Sequence, residues 1–117
     1  MFINFEEKAK REGVNFPFYF HAGETRQRSK EGVYDALMFN TKRIGHGISV
    51  MNHPTVAQEL RERGICVELN PISNMLLGYG KDLRTHPGWT LLSNGVPVSV
   101  SSDDPAIFCT KGGTYDV

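Results

Sequence analysis

Four short runs rich in aromatic and β-branched residues, separated by segments with helical periodicity, constrain this chain more than any other feature. The runs lie at about 16–20 ("FPFYF"), 43–46 ("RIGH"), 65–69 ("ICVEL") and 97–101 ("PVSVS"). Between the first two, "SKEGVYDALMFN" places Val33, Ala36, Leu37 and Asn40 at helical spacing. Next, "HPTVAQELRERG" has Pro54 near the first helical position and Gly64 at the stop. Its predicted inner face carries Val56, Leu60 and the aliphatic part of Arg63. Ahead of the fourth run, "PGWTLLSNG" predicts a short helix closed by Gly95. At the front, "NFEEKAKREG" offers Asn4 as N-cap, Glu7 three residues on, and Gly13 as the stop. The order α-β-α-β-α-β-α-β predicts βαβ units and a parallel sheet, so the fold class is α/β.

The chain has 117 residues, a length that suits one small domain. No linker, low-complexity segment or composition shift interrupts it, so residues 1–117 read as a single domain. Thirteen basic residues balance thirteen acidic ones. That balance argues against a nucleic-acid or membrane-surface partner, since both usually require a basic excess. Hydrophobic residues at 39% and charged residues at 22% exclude a disordered chain. No apolar run approaches the roughly 18 residues that span a bilayer. The first residues, "MFINFEEKAKREG", lack the basic and apolar regions of a secretory signal. Two cysteines, Cys66 and Cys109, have no C-x-x-C spacing and make a disulfide framework unlikely. Cys66, within "GICVEL", reads as a buried strand residue.

In parallel α/β folds functional side chains gather at the carboxyl ends of the strands. Here the first strand ends at His21, with Glu24 three residues on, and the second ends at His46 between Gly45 and Gly47. The third runs out at "ELNPISN", and the fourth at "SSDDP" with Asp103 and Asp104 side by side. Two histidines and three carboxylates are thus expected on one face. An imidazole and a carboxylate are good zinc ligands, and a catalytic zinc keeps one position open for water. Water held there has a pKa near 7 and attacks as hydroxide. A carboxylate that is not a ligand, Glu24 or one of the aspartates, is then the candidate proton shuttle. Gly45 and Gly47 would let backbone and imidazole approach a ligand closely. Taken singly, each motif has a plainer reading: surface polarity for His-x-x-Glu, a tight turn for Gly-His-Gly, a helix start for Asp-Asp-Pro. His53 and His86 each precede a proline and read as loop or cap residues.

"FHAGET", "DALMFNTKRIGHG", "ELNPISN", "DLRTHP" and "SSDDPAIF" occur in this order and at matching spacing in adenosine deaminases, which the chain resembles over about residues 16–117. "PISN", "LRTHP" and "SSDDPAIFCTKGGTYD" are most similar to the secreted adenosine deaminase-related growth factor (adenosine deaminase 2) branch. The resemblance implies a metal-dependent-hydrolase TIM (β/α)8 barrel, one zinc, and hydrolysis of adenosine or 2′-deoxyadenosine to inosine and ammonia. It further implies His21 and Asp103 as zinc ligands, and Glu24 as the proton donor to purine N1. His46 is implied as the residue that orients and deprotonates the water, and Asp104 as the contact to purine N7. Complete members are implied to be extracellular and, in some cases, homodimeric.

The family takes two further zinc histidines from an H-x-H pair at the end of its first barrel strand. The four histidines here, at 21, 46, 53 and 86, contain no such pair. The four strands correspond to the last four of eight, so the chain is expected to be the C-terminal half of the catalytic domain and inactive in isolation. Two alternatives stand beside that expectation. One is a non-catalytic remnant that assembles with a partner. The other is a related deaminase of AMP or adenine, for which Arg26, Arg28 and Lys111 would have to meet the phosphate of AMP.

Overall fold

Each β-rich run forms a strand, and each strand lies beside the one before it in sequence. The computed structural model describes residues 2–25, 31–109 and 111–116. Its elements are α1 (Phe2–Arg11), β1 (Phe18–Ala22), α2 (Glu31–Met38), β2 (Thr41–His46), α3 (Pro54–Arg63), β3 (Cys66–Leu69), α4 (Pro71–Leu76), α5 (Pro87–Ser93) and β4 (Val98–Val100). Short 3-10 turns cover Ile48–Asn52, Leu83–Thr85 and Gly113–Tyr115. The sheet runs β1-β2-β3-β4 with every pair parallel. Short helical crossovers return the chain to the same end of the sheet each time, as parallel pairing requires.

The two faces of the sheet differ in chemistry. Phe20, Ile44, Val67 and Val98 lie in register across one face. Val33 and Ala36 of α2, Val56 and Leu60 of α3 and Leu91 of α5 join Ile44 and Val67 in one apolar cluster with them. Ile44, Leu60 and Val67 are fully buried, each gaining about 1.5–3 kcal/mol over an exposed position. The opposite face carries Tyr19, His21, Arg43, Gly45, Cys66, Glu68 and Ser99, following strand alternation. There Arg43 Nε donates to Glu68 Oε1 at 2.6 Å, and its other arm donates to Ser99 Oγ at 2.7 Å. Cys66 lies half-buried on this face rather than buried.

Several element boundaries depart from expectation, among them β2, which starts at Thr41, two residues earlier than expected. Helix α1 begins at Phe2, so Asn4 lies inside it and does not cap it; nothing ahead of Asn4 breaks a helix. Strand β1 starts and ends two residues later than expected, because Pro17 has no N–H to enter the ladder. His21 therefore stands within the strand. A helix, α4, follows β3 directly, opened by Pro71 at its first position. The Arg63 guanidinium donates to Leu37 O and Asn40 Oδ1, both at 3.3 Å, and closes the end of α2.

Candidate active site

His21 projects from the helix-free face of β1 beside Gly45, its register partner on β2. A Cβ on Gly45 would stand 3.2 Å from the His21 ring, so the absent side chain makes room for that imidazole. His46 closes β2 with a left-handed backbone, φ 66°, and Gly47 follows at φ 56°. A left-handed non-glycine residue is uncommon, and histidine, asparagine and aspartate are the types that tolerate it best. Asp103 shares this conformation at φ 55°, so two of the expected site residues sit on strained backbone.

The loop after β1 is fastened to the loop after β2. Gly47 N donates to Ala22 O at 3.0 Å, and Ser49 N donates to Gly23 O at 2.8 Å. The result sets Glu24 Oε1 3.7 Å from His46 Nε2, while the His21 and His46 ring centroids are 5.1 Å apart. A cavity of about 240 Å³ opens beside them, lined by His21, Gly23, Glu24 and Thr25. His46 is buried, His21 is exposed, and Glu24 is intermediate.

Helix α4 supplies what sequence reasoning missed. Ser73 Oγ donates to Asp103 Oδ2 at 2.7 Å, which orients that carboxylate. Asn70 and Asn74 bring their amides to 3.2 and 3.4 Å from His46 Nδ1. Asn74 Oδ1 in turn lies 3.1 Å from His86 Nε2. All four of these residues on the His46 side, Asn70, Asn74, His86 and His46 itself, are at most 5% exposed. The start of α4 is held by Asp116 Oδ1, which accepts from Ile72 N at 3.1 Å. The signal available in the sequence was "NPISN": three hydrogen-bonding side chains within five residues at a strand end.

The remaining expected residues are placed as follows. Asp104 is exposed, and its carbonyl accepts from Ile107 N at 3.0 Å and Phe108 N at 3.1 Å, opening a turn. His53 takes the N-cap position of α3, with Tyr34 Oη 3.5 Å from its Nδ1. His86 caps α5, its Nδ1 accepting from Gly88 N at 3.0 Å, and burial pushes its pKa below the usual imidazole range. Arg26 and Arg28 lie outside the described residues, and Lys111 is exposed. Among the described residues no three histidine, cysteine, aspartate or glutamate side chains meet around one point fit for a metal ion. His21 and Asp103 therefore do not by themselves fit a zinc site, which needs three protein ligands and an open position. Among the described residues no helix is long and apolar enough to cross a membrane.

Residues 2–114 match the adenosine deaminase family model. The chain is 50% identical over 99 residues to adenosine deaminase 2 of Dictyostelium discoideum, covering 85% of this chain and 18% of that one. It is 46% identical over 109 residues to adenosine deaminase 2 of Homo sapiens, covering 91% and 21%. Among solved structures, the adenine deaminase of Arthrobacter aurescens superposes with a TM-score of 0.74 at 32% identity, over 89% of this chain and 31% of that one. The N6-methyl-AMP deaminase of Arabidopsis thaliana superposes with a TM-score of 0.71 at 23% identity, a likeness of fold. The chain spans about a fifth of the length of the curated relatives it matches.

Proposed function

The chain belongs to the adenosine deaminase family, and from that premise we propose that it forms part of a site that hydrolyses adenosine or 2′-deoxyadenosine to inosine and ammonia. The observation that carries this reading is the triad of His21, Glu24 and His46, with the carboxylate 3.7 Å from one imidazole and the rings 5.1 Å apart. Replacing an amino group at purine C6 needs a base for the attacking water and an acid for the ring. His46 takes the proton from water at Nε2, and Glu24 delivers a proton to ring N1. Asp104 makes the contact to N7. Asp103, oriented by Ser73, and His21 are two metal donors of a set that is incomplete within this chain. Zinc, when bound by a full donor set, supplies a strong nucleophile at neutral pH.

Adenosine is favoured over adenine or AMP because identity is 46–50% to relatives named for adenosine and 32% to the adenine deaminase. The extracellular reading rests only on the adenosine deaminase 2 names among those relatives. The test is made in a complete domain that carries these residues. Glu24→Gln and His46→Ala are each expected to lower kcat about 10²–10⁴-fold with zinc content unchanged. His21→Ala and Asp103→Ala are expected to lose the metal. Unchanged turnover in the Glu24 and His46 variants overturns the proposal.

A further inference from the structure

We propose that Asn70 is a positioning residue that holds His46 with its proton on Nδ1, leaving Nε2 bare on the side of Glu24 and His21. Only the use made of that bare nitrogen rests on the proposed function. The assignment follows from the surroundings of one buried amide. With its oxygen turned the other way, Asn70 would press that oxygen against the carbonyl oxygens of Leu69 and Ser101. In the satisfied orientation its NH2 donates to Ser101 O at 3.1 Å and lies 3.3 Å from both Leu69 O and Ser101 Oγ. Its oxygen then faces His46 Nδ1 at 3.2 Å and can only accept, so the proton belongs on Nδ1.

A second amide competes for the same nitrogen, and the competition decides the tautomer. Gly88 N–H points into His86 Nδ1 at 3.0 Å, so neutral His86 carries its proton on Nε2 and donates to Asn74 Oδ1 at 3.1 Å. That leaves the Asn74 NH2 directed at His46 Nδ1 from 3.4 Å. A donor at that distance is at the limit of a hydrogen bond. It gives way to the 3.2 Å bond because turning Asn70 to serve a bare Nδ1 would forfeit its donor contacts to Ser101 and Leu69 and set its oxygen against their carbonyls, whereas the opposite choice costs Asn74 one long contact. Asn74 is thus the reserve partner: with the Asn70 oxygen removed, it donates to a bare Nδ1 and moves the proton to Nε2. The Asn70 amide also ties together the ends of β2 at His46, β3 at Leu69 and β4 at Ser101, two residues before Asp103.

The tautomer is read directly by two-bond 1H–15N correlation of the 15N-histidine-labelled chain at about pH 9, where imidazole is neutral. A His46→Asn variant identifies the His46 signals by their loss. The expected result is a protonated-type Nδ1 and an unprotonated-type Nε2 for His46. Asn70→Leu is expected to reverse that pattern, and Asn70→Asp, which keeps the acceptor, to preserve it. An Nε2-protonated His46 in the unsubstituted chain, or an unchanged tautomer in Asn70→Leu, overturns the proposal. Should the leucine variant fail to fold, the unsubstituted chain and the aspartate variant still decide it. The measurement uses neither metal nor nucleoside, so a failure of the deaminase reading leaves it standing, and the reverse also holds.

Discussion

His86 holds two jobs with one ring. Its Nδ1 caps α5 by accepting from Gly88 N, and its Nε2–H anchors Asn74 behind His46. The cap needs the neutral imidazole, since a proton added at Nδ1 would meet the Gly88 N–H head-on, whereas the Nε2–H bond to Asn74 survives protonation. Burial holds the folded pKa below the ordinary 6.5, so the unfolded chain binds the proton first. Stability is therefore full above about pH 6.5 and falls as pH drops toward the depressed folded value, by at most about 1.4 kcal/mol per pH unit. Thermal melts from about pH 8 down to about pH 5 are expected to show a slope that His86→Gln flattens; an equal slope in both proteins refutes the assignment. At this scale, chemistry-bearing residue types were readable from sequence: His21, Glu24, His46 and Asp103 stand out at strand ends. The supports behind them showed only as the hydrogen-bonding side chains grouped in "NPISN", since a neutral amide such as Asn70 does not by itself announce a partner. A histidine before proline looks like a cap and nothing more.

Among the elements, the strands are not equivalent. β2 and β3 are paired on both sides, whereas β1 and β4 each have one neighbour within the described sheet. Amide hydrogen exchange is expected to be slowest at Ile44 and Val67 and faster at the outer strands; uniform protection across all four would contradict this order. The Arg43–Glu68–Ser99 row runs across β2, β3 and β4 on the face that no helix covers. Glu68→Ala leaves Arg43 without its 2.6 Å partner. Because both side chains are about one-third exposed, the expected loss is only about 1 kcal/mol, smaller at high salt, by urea titration. The strand and helix alternation was legible because period and punctuation agree over β2, α3 and β3. α4 was not, because six residues are too few for a periodic signal and "NPISN" resembles a loop. Likewise the late start of β1 is set by one missing N–H at Pro17, a local effect that hydropathy does not register.

For the molecule as a whole, the unpaired outer edges of the described sheet and the two-donor set of the proposed function bear on the same question. Two open strand edges, a polar helix-free face and two metal donors, His21 and Asp103, belong to one end of a larger closed surface in the proposed reading. A catalytic zinc is held by three protein ligands with water in the open position, and each ligand lost removes both a bond and the geometry that orients the rest. His46 and Glu24 do not make up the deficit, since His46 Nε2 and Glu24 Oε1 face each other at 3.7 Å and no third donor joins them among the described residues. Zinc added to the purified 117-residue chain is therefore expected to be stripped by dialysis against metal-free buffer, and the zinc-supplemented chain to form no inosine from adenosine. Metal retained at one per chain through dialysis would show that the described residues rearrange into a full donor set. Inosine formation by the chain alone would show that the catalytic groups suffice without further ligands. A second segment supplying two histidines, expressed together with the chain, is expected to restore metal retention first and turnover with it, because Glu24 and His46, the acid and base of the proposed function, already stand 3.7 Å apart.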